Sequence, residues 1–491
     1  MSKVTSQLPA QLPSLDALRS VHVIGVCGTL MGAFAAYLKR RGVDVSGSDQ
    51  NVYPPMSDVL RNAGVEVMSG FRAENITGQS TRPDLIVIGN VISANNPEAR
   101  AAIDGGYVYT SLPEAMEKLL LVQTRNLVVA GTHGKTTTSS LLAHVLTQCK
   151  RDPSYFIGGV SDDLPFSFHL SSIDAGRLFV LEGDEYDTAF WDKVPKFNHY
   201  LPDDTILTSV EYDHADIYPD FEAVERAFEG LVSRVRPAGR LIACFDYPVI
   251  KKLTAVAKVP VLSYGASSES DARYTPGHFR FEADYSCFDV MDSGKKVDEV
   301  AIQLPGMHNA LNALAVWIEC HELGIETLTL REAFRSFRGV KRRQEVRADV
   351  NGIIVLDDFA HHPTAVRETL RALRLKYPKR RLLTVFEPRS ATSRRKVFQK
   401  DYAAAFQEAD VIFIASPYDQ TKIASDDQFS SDMLIADLVG VGKHAFLLST
   451  VEEGVAEVAK KAKSGDLIAV LSNGGFGGFI PKLIDSLKTR T

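Results

Sequence analysis

The sequence predicts an α/β protein of three domains, and three stretches carry that prediction. Leu127-Val128-Val129-Ala130 is an apolar run that enters Gly131-Thr132-His133-Gly134-Lys135-Thr136-Thr137, with a helical stretch following from Ser139 to Gln148. Val21 to Ile24 reads as a second strand, entering a turn with Gly25, Gly28 and Gly32 before a helix that reaches Arg41. Near residue 340 the alternation of apolar strand, polar turn and helix begins again. Strands that alternate with helices build a largely parallel sheet covered on both faces. A chain of 491 residues is also too long for one hydrophobic core.

In the first domain, expected over 20–122, the strand from Gly42 to Asp49 follows the first helix, and Asp84 to Gly89 forms another. The glycines permit close backbone approach to a phosphorylated ligand, and Asp49 closes the second strand where a sugar or base is held in such folds. The spacing is not G-x-G-x-x-G, because Val26 and Cys27 separate the first two glycines. That argues for a nucleotide-bearing ligand other than a dinucleotide cofactor.

The central domain, expected over 123–338, starts with the Gly-Lys-Thr loop. A strand, a glycine-bearing loop and a helix N-terminus together cradle phosphate. Lys135 would lie at the terminal phosphates and the Thr136 hydroxyl on a magnesium ion. The usual pattern is imperfect, because Val129 occupies the position of its first glycine. A strand from Gly176 to Leu181 runs into Glu182, Asp184, Glu185 and Asp187, and one from Thr205 to Val210 runs into Glu211, Asp213, His214 and Asp216. Glu182 and His214 are candidates for a metal shell that includes Thr136. Magnesium favours oxygen, so His214 implies a second or looser position. Asp271 to Val300 alternates like antiparallel strands, and a helix starting at Gly306 carries His308, Asn309 and Asn312 in its first turns. An amide such as Asn312 can donate and accept at an adenine edge, or simply cap the helix.

The last domain, expected over 339–491, has strands at Gly352–Leu356, Arg381–Phe386, Asp410–Ala415 and Leu467–Leu471. The first is followed by Asp357, Asp358, His361 and His362 and a helix through Leu373; the second ends in Glu387-Pro388-Arg389-Ser390. The paired histidines also admit a transition-metal site. Lys341-Arg342-Arg343 reads either as a solvated face or as a clamp for phosphate or carboxylate.

Composition excludes several classes. With 55 basic against 61 acidic residues and a net charge of -6, the chain lacks the basic surface of a nucleic-acid binder. No apolar run is long enough to span a membrane, and the first twenty residues do not read as a secretion signal. Five scattered cysteines without ligand spacing suit a reducing, cytoplasmic compartment. A motor or switch ATPase binds one nucleotide. A second nucleotide-type turn and a third polar domain better suit an enzyme that joins two substrates, one bearing its own nucleotide, at the expense of ATP.

Together, Gly25-Val26-Cys27-Gly28-Thr29, Gly131 to Thr137, Glu182, Asp213-His214, His308 to Asn312 and Asp358-Phe359-Ala360-His361-His362-Pro363 resemble the Mur ligase family, the ATP-dependent amide ligases of peptidoglycan synthesis. The resemblance runs from about residue 20 to 487. It implies a Rossmann-like UDP-binding domain, a central P-loop ATPase-like domain and a Rossmann-like C-terminal domain. Four stretches, Asn51 to Ser57, Asp213 to Tyr218, Glu387 to Ser390 and Ser472 to Gly478, resemble the branch that joins UDP-N-acetylmuramate to a murein peptide, rather than the branch that adds one alanine.

By this resemblance Gly28, Thr29, Met31, Gly32 and Asp49 hold the UDP-sugar, and His361 and Arg389 face substrate. Gly131, Thr132, His133, Gly134, Lys135, Thr136 and Thr137 hold the ATP phosphates. Asn309 and Asn312 hold adenine, and Arg343 and Asp358 complete the ATP contacts. Thr136, Glu182 and His214 hold Mg2+, with Lys135, Glu182 and His214 as the catalytic set. Two departures stand out: Ser209 where many relatives have asparagine, and Gly183 where alanine often follows the metal glutamate. The same resemblance leaves the alanine-adding ligase as the alternative and a UDP-sugar sensor as the non-enzymatic one. It leaves the oligomeric state open, a monomer among the options.

Overall fold

The computed structural model describes residues 12–52, 56–171 and 177–489. Tyr53-Pro54-Pro55, the start of the expected strand at Gly176 and the first eleven residues lie outside the described residues. The chain forms two compact units. The first comprises the described residues up to Val210 with Glu225–Arg273 and Ala315–Ala333; the second comprises Glu211–Val224, Tyr274–Leu314 and the described residues from Phe334 onward.

The first unit opens with β1 (Ser20–Ile24), β2 (Asp44–Asp49), β3 (Glu66–Ser69), β4 (Leu85–Ile88) and β5 (Tyr109–Ser111), a parallel sheet in the order β3-β2-β1-β4-β5. The order reverses at β1, so the loops after β1 and β4 diverge and leave a crevice at the carboxyl ends of the strands. Ile24, Ile86 and Ile88 form its core with Ile76, Ala99 and Ala102.

The same unit continues with β6 (Arg125–Ala130), β7 (Ser154–Phe156), β8 (Phe168–His169), β9 (Leu178–Gly183), β10 (Asp204–Leu207), β11 (Arg240–Cys244) and β12 (Val261–Tyr264), which run in the order β12-β11-β10-β6-β9-β7-β8. All are parallel except β8, which pairs antiparallel with β7. β6 lies between β10 and β9, and its buried Leu127–Ala130 stretch explains why it reads as continuously apolar.

Two boundaries correct the sequence expectations. The helix after the loop spans Lys135–Gln148, so it begins at Lys135 rather than Ser139. Its first turn is Lys-Thr-Thr-Thr, and threonine is a weak helix former, but Thr137 to Leu146 are buried and packing overrides propensity. Strand β10 ends at Leu207 rather than Val210. Beyond that end, Thr208 and Ser209 bond the phosphate-type loop through their side chains.

The second unit contains β13 (Tyr274–Glu282), β14 (Tyr285–Asp292) and β15 (Lys295–Ile302), an antiparallel meander where alternation predicted one. It also contains β16 (Glu345–Val350), β17 (Ile353–Asp358), β18 (Leu382–Phe386), β19 (Val411–Ala415), β20 (His444–Leu448) and β21 (Leu467–Leu471), in the order β16-β17-β21-β18-β19-β20. Only β16 is antiparallel. Asp357 and Asp358 are the last residues of β17 rather than a turn after it. Two apolar layers cover this sheet, one built on Leu356, Leu370, Phe386 and Tyr402, the other on Val355, Val385, Phe413 and Phe479. No described helix is long and apolar enough to cross a membrane.

Candidate active site

In the first unit the site is built on the loop from Gly131 to Gly134. Gly131 has φ +138°, and a Cβ there would lie 2.3 Å from Thr208 Oγ1 and 2.8 Å from backbone atoms of Ser209. Only glycine fits so close to a neighbouring strand end. Gly134, at φ +82°, caps the helix that starts with Lys135, so the loop delivers helical N–H groups into the turn. The loop is braced from β10: Ser209 Oγ accepts the His133 N–H at 2.8 Å, the Ser209 carbonyl accepts the Thr132 N–H at 3.0 Å, and Thr208 Oγ1 donates to the His133 carbonyl.

Lys135 Nζ donates to the Gly131 and Thr132 carbonyls at 2.7 and 3.3 Å and lies 2.9 and 2.8 Å from the two carboxylate oxygens of Glu185. Burial would lower its pKa, but Glu185, then Asp184 and Glu182, outweigh burial and hold the ammonium above its usual range. It is therefore charged at neutral pH.

Thr136 Oγ1 donates to Glu182 Oε1 at 2.6 Å, and the Gly158 N–H donates to Glu182 Oε2 at 2.7 Å. Burial pushes the Glu182 carboxyl up, against the lowering pull of Thr136, Gly158 and Lys135. A hydroxyl and a carboxylate at this separation form a hard oxygen donor pair of the kind magnesium takes, so the residues present fit that ion. Asp184 is half-buried; Lys196, at 2.5 Å, and then Lys135 hold its pKa below the usual value despite desolvation. Gly183 continues β9 with its Cα against Ala130 and Val128, where an added Cβ would come within 3.0 Å of both side chains.

The other expected contacts of the first unit lie at β1 and β2. Gly28 caps the helix Thr29–Arg40, with Thr29 exposed and Met31 buried behind the turn. Gly32 lets that helix pass Val26, whose carbonyl would be 2.9 Å from an added Cβ. Asp49 receives the Cys27 N–H at 2.9 Å on one oxygen and the Asn51 N–H at 3.0 Å on the other, so it braces the glycine-bearing turn.

The second unit gathers a separate set. Asp213 is buried, receives the Thr392 hydroxyl and the His214 N–H, and lies 3.6 Å from His361 Nε2. Desolvation would raise its pKa, but His361, His214 and His362 hold the carboxyl well below the usual range. His214 itself has φ +56°, a strained conformation for a residue with a side chain. Thr392 was not singled out from sequence, whereas Asp213 stands in the motif without an assigned role. An acidic residue just beyond a strand and beside a histidine is the signal that marks it. His361 Nδ1 faces the Phe359 carbonyl at 3.0 Å, whereas His362 Nδ1 accepts the Thr364 N–H at 3.3 Å and caps the next helix. The two Nδ1 atoms thus serve different partners.

Asp358 receives the Gln344 and Ala360 N–H groups, both at 2.8 Å. Burial raises its pKa against the lowering effect of Arg343, which stacks over Phe359 at 4.9 Å. Arg342 is structural: it donates to the Ser472 and Gly474 carbonyls, each at 2.7 Å, and pairs with Asp357. The basic run therefore pins the loop after β21 through one member. Arg389 stacks over Tyr418 at 3.8 Å, pairs with Glu387, and crosses Gly474 so closely that a Cβ there would meet Nε at 2.1 Å. Asn309 Nδ2 donates to the Pro305 carbonyl at 2.8 Å, and Asn312 Nδ2 reaches Asn309 Oδ1 at 3.4 Å, so the two share a helix face as their spacing predicts. Burial draws the adjacent His308 down to about 4, so its ring is neutral.

A Gly-Lys-Thr loop between a buried central strand and a helix, with a glutamate against the threonine, places the protein in the P-loop class of α/β proteins. The chain belongs to the Mur ligase family: residues 20–124 match the Mur ligase family catalytic domain, 129–319 the Mur ligase middle domain and 342–474 the Mur ligase glutamate ligase domain. It is 37% identical over 480 residues to the UDP-N-acetylmuramate–L-alanyl-gamma-D-glutamyl-meso-2,6-diaminoheptandioate ligase of Escherichia coli (strain K12), covering 95% of this chain and 98% of that one. It is 33% identical to the UDP-N-acetylmuramate–L-alanine ligase of Kineococcus radiotolerans, covering 99% of this chain and 100% of that one. Among solved structures, a murein peptide ligase from Psychrobacter arcticus 273-4 matches with a TM-score of 0.70 and 31% identity, covering 96% and 99% of the two chains.

Proposed function

We propose that this chain joins UDP-N-acetylmuramate to L-alanyl-γ-D-glutamyl-meso-diaminopimelate in the cytoplasm, using ATP and forming the amide through an acyl phosphate. The observation that carries the reading is the match to the E. coli ligase over 98% of that enzyme's length, laid over an intact Lys135–Thr136–Glu182 arrangement. The three domains, 20–122, 123–338 and 339–491, bind the UDP-sugar, ATP and the peptide respectively.

Thr136 and Glu182 would hold a magnesium ion, with His214 serving a second, and the bound metal would supply charge neutralisation at the transferred phosphoryl group. Lys135 stabilises charge that develops on that group, and the helix N–H groups after Gly134 orient the phosphates. Asn309 and Asn312 contact adenine, and Arg343 and Asp358 complete the nucleotide contacts. The UDP-sugar lies along Gly28, Thr29, Met31, Gly32 and Asp49, with His361 and Arg389 toward the peptide. The carboxylate of the sugar takes the phosphoryl group, and the peptide amine then displaces phosphate. Excluding water protects the acyl phosphate between these steps.

The test is phosphate release with ATP, magnesium and UDP-N-acetylmuramate, comparing the tripeptide with L-alanine as acceptor. Release that depends on the tripeptide, with little on alanine, supports the reading. Strong release on alanine makes the chain the alanine-adding enzyme, as the 33% identity to that relative allows.

A further inference from the structure

We propose that Glu185 is a positioning residue that occupies Lys135 in the free protein and gives it up only to an incoming phosphate. The inference rests on reading Lys135 as the phosphate-binding lysine.

An ammonium has three hydrogens. Here they are directed at the Gly131 carbonyl (2.7 Å), the Thr132 carbonyl (3.3 Å) and the Glu185 carboxylate (2.8 Å to the nearer oxygen). A phosphate entering the loop thus meets a lysine folded back on its own turn, with a carboxylate already beside the ammonium. The pair is secluded, with side-chain exposures of 14% for Lys135 and 3% for Glu185. A charge so poorly hydrated cannot be left bare without a large cost, so the lysine must exchange one anion for another rather than wait unpaired. Carboxylate and phosphate oxygens are equivalent acceptors for this exchange.

The backbone around Glu185 is anchored. Lys196 holds the Asp184 side chain, the Tyr186 N–H donates to Asp184 Oδ1 at 3.2 Å, and the Lys196 N–H donates to the Tyr186 carbonyl at 3.0 Å. The exchange is therefore a side-chain rotation and not a loop movement. Once displaced, the Glu185 carboxylate remains beside the phosphate as a like charge, which weakens binding of nucleotide and speeds departure of its products.

The test is calorimetric titration of ADP and a non-hydrolysable ATP analogue, each with magnesium, into the full-length wild type and Glu185→Gln. Removing the competing charge should tighten both nucleotides by about tenfold, the ratio by which occupancy of Lys135 lowers the binding-competent fraction. In steady state the KM for ATP should fall and kcat should fall with it, a split that simple loss of structure does not produce. Unchanged or weaker binding by Glu185→Gln, with wild type binding normally, overturns the proposal and leaves the nucleotide reading intact. Absence of nucleotide binding by wild type overturns both. If Glu185→Gln does not fold, Glu185→Asp carries the test, since its shorter reach loosens the same pair and should shift binding in the same direction.

Discussion

Ser209 Oγ accepts the backbone N–H of His133 at 2.8 Å, and through it the end of β10 supports the phosphate-type loop. The neighbouring Thr208 hydroxyl donates to the carbonyl of the same His133. Both backbone polar groups of one loop residue are thus held by consecutive residues just beyond β10. The Ser209 side chain thus has a definite structural use.

Ser209→Ala removes one bond to a partly buried N–H, worth about 1 kcal/mol. The KM for ATP should rise roughly fivefold, while the KM for UDP-N-acetylmuramate stays within about twofold, because the lost bond touches only the loop. Steady-state kinetics with each substrate varied in turn check this. An equal rise in both would remove the loop-specific role.

Gly131→Ala should be far more severe. The new Cβ would meet the Thr208 hydroxyl at 2.3 Å at a backbone φ of +138°, so the loop must move or the strand end must yield. Nucleotide binding by calorimetry should become undetectable, with a lowered melting temperature. Wild-type affinity in this variant would contradict the crowding described.

Lys135→Met should lower turnover by at least about a hundredfold, through loss of a charge that acts in the transition state. It also strands the buried Glu185 carboxylate, which costs roughly 3–5 kcal/mol of stability. The double variant Lys135→Met/Glu185→Gln should recover most of the melting temperature and none of the turnover. Recovery of turnover would show that Lys135 acts only in folding.

Asp213 gives a pH dependence of defined sign. Its folded pKa is depressed well below the usual value by His361, His214 and His362, which outweigh desolvation. Its contribution is then complete above its unfolded pKa, about 3.9, and is lost as pH falls through the folded pKa. The stability difference between wild type and Asp213→Asn should therefore be present above pH ~4 and close progressively as pH falls below it. Denaturant unfolding across that range measures it. A difference that stays constant with pH would remove the charge interaction from Asp213.

The loop, the parallel sheets and the antiparallel meander were legible because each has a periodic or positional signature. Leu127–Ala130 is apolar throughout because β6 is central, and Gly131 and Gly134 stand where positive φ is needed. The edge strands β16 and β20 were not legible, since half-exposed residues on a sheet rim follow no strict alternation. The helix start at Lys135 was hidden by three threonines that only burial makes helical. Side-chain partners were the least visible. Arg342 reads as a phosphate clamp by composition, yet it holds the Ser472 and Gly474 carbonyls. The Glu185–Lys135 pair joins residues 50 apart in the chain, a distance across which charge pattern carries no information.

The most direct measurement follows an oxygen. UDP-N-acetylmuramate labelled with 18O in its carboxylate would be turned over with ATP, magnesium and the tripeptide, and the released phosphate analysed by mass. Transfer of one labelled oxygen to phosphate, together with an amide product of the expected mass, is the predicted result. Unlabelled phosphate accompanying the same product would contradict amide formation through an acyl phosphate on this chain.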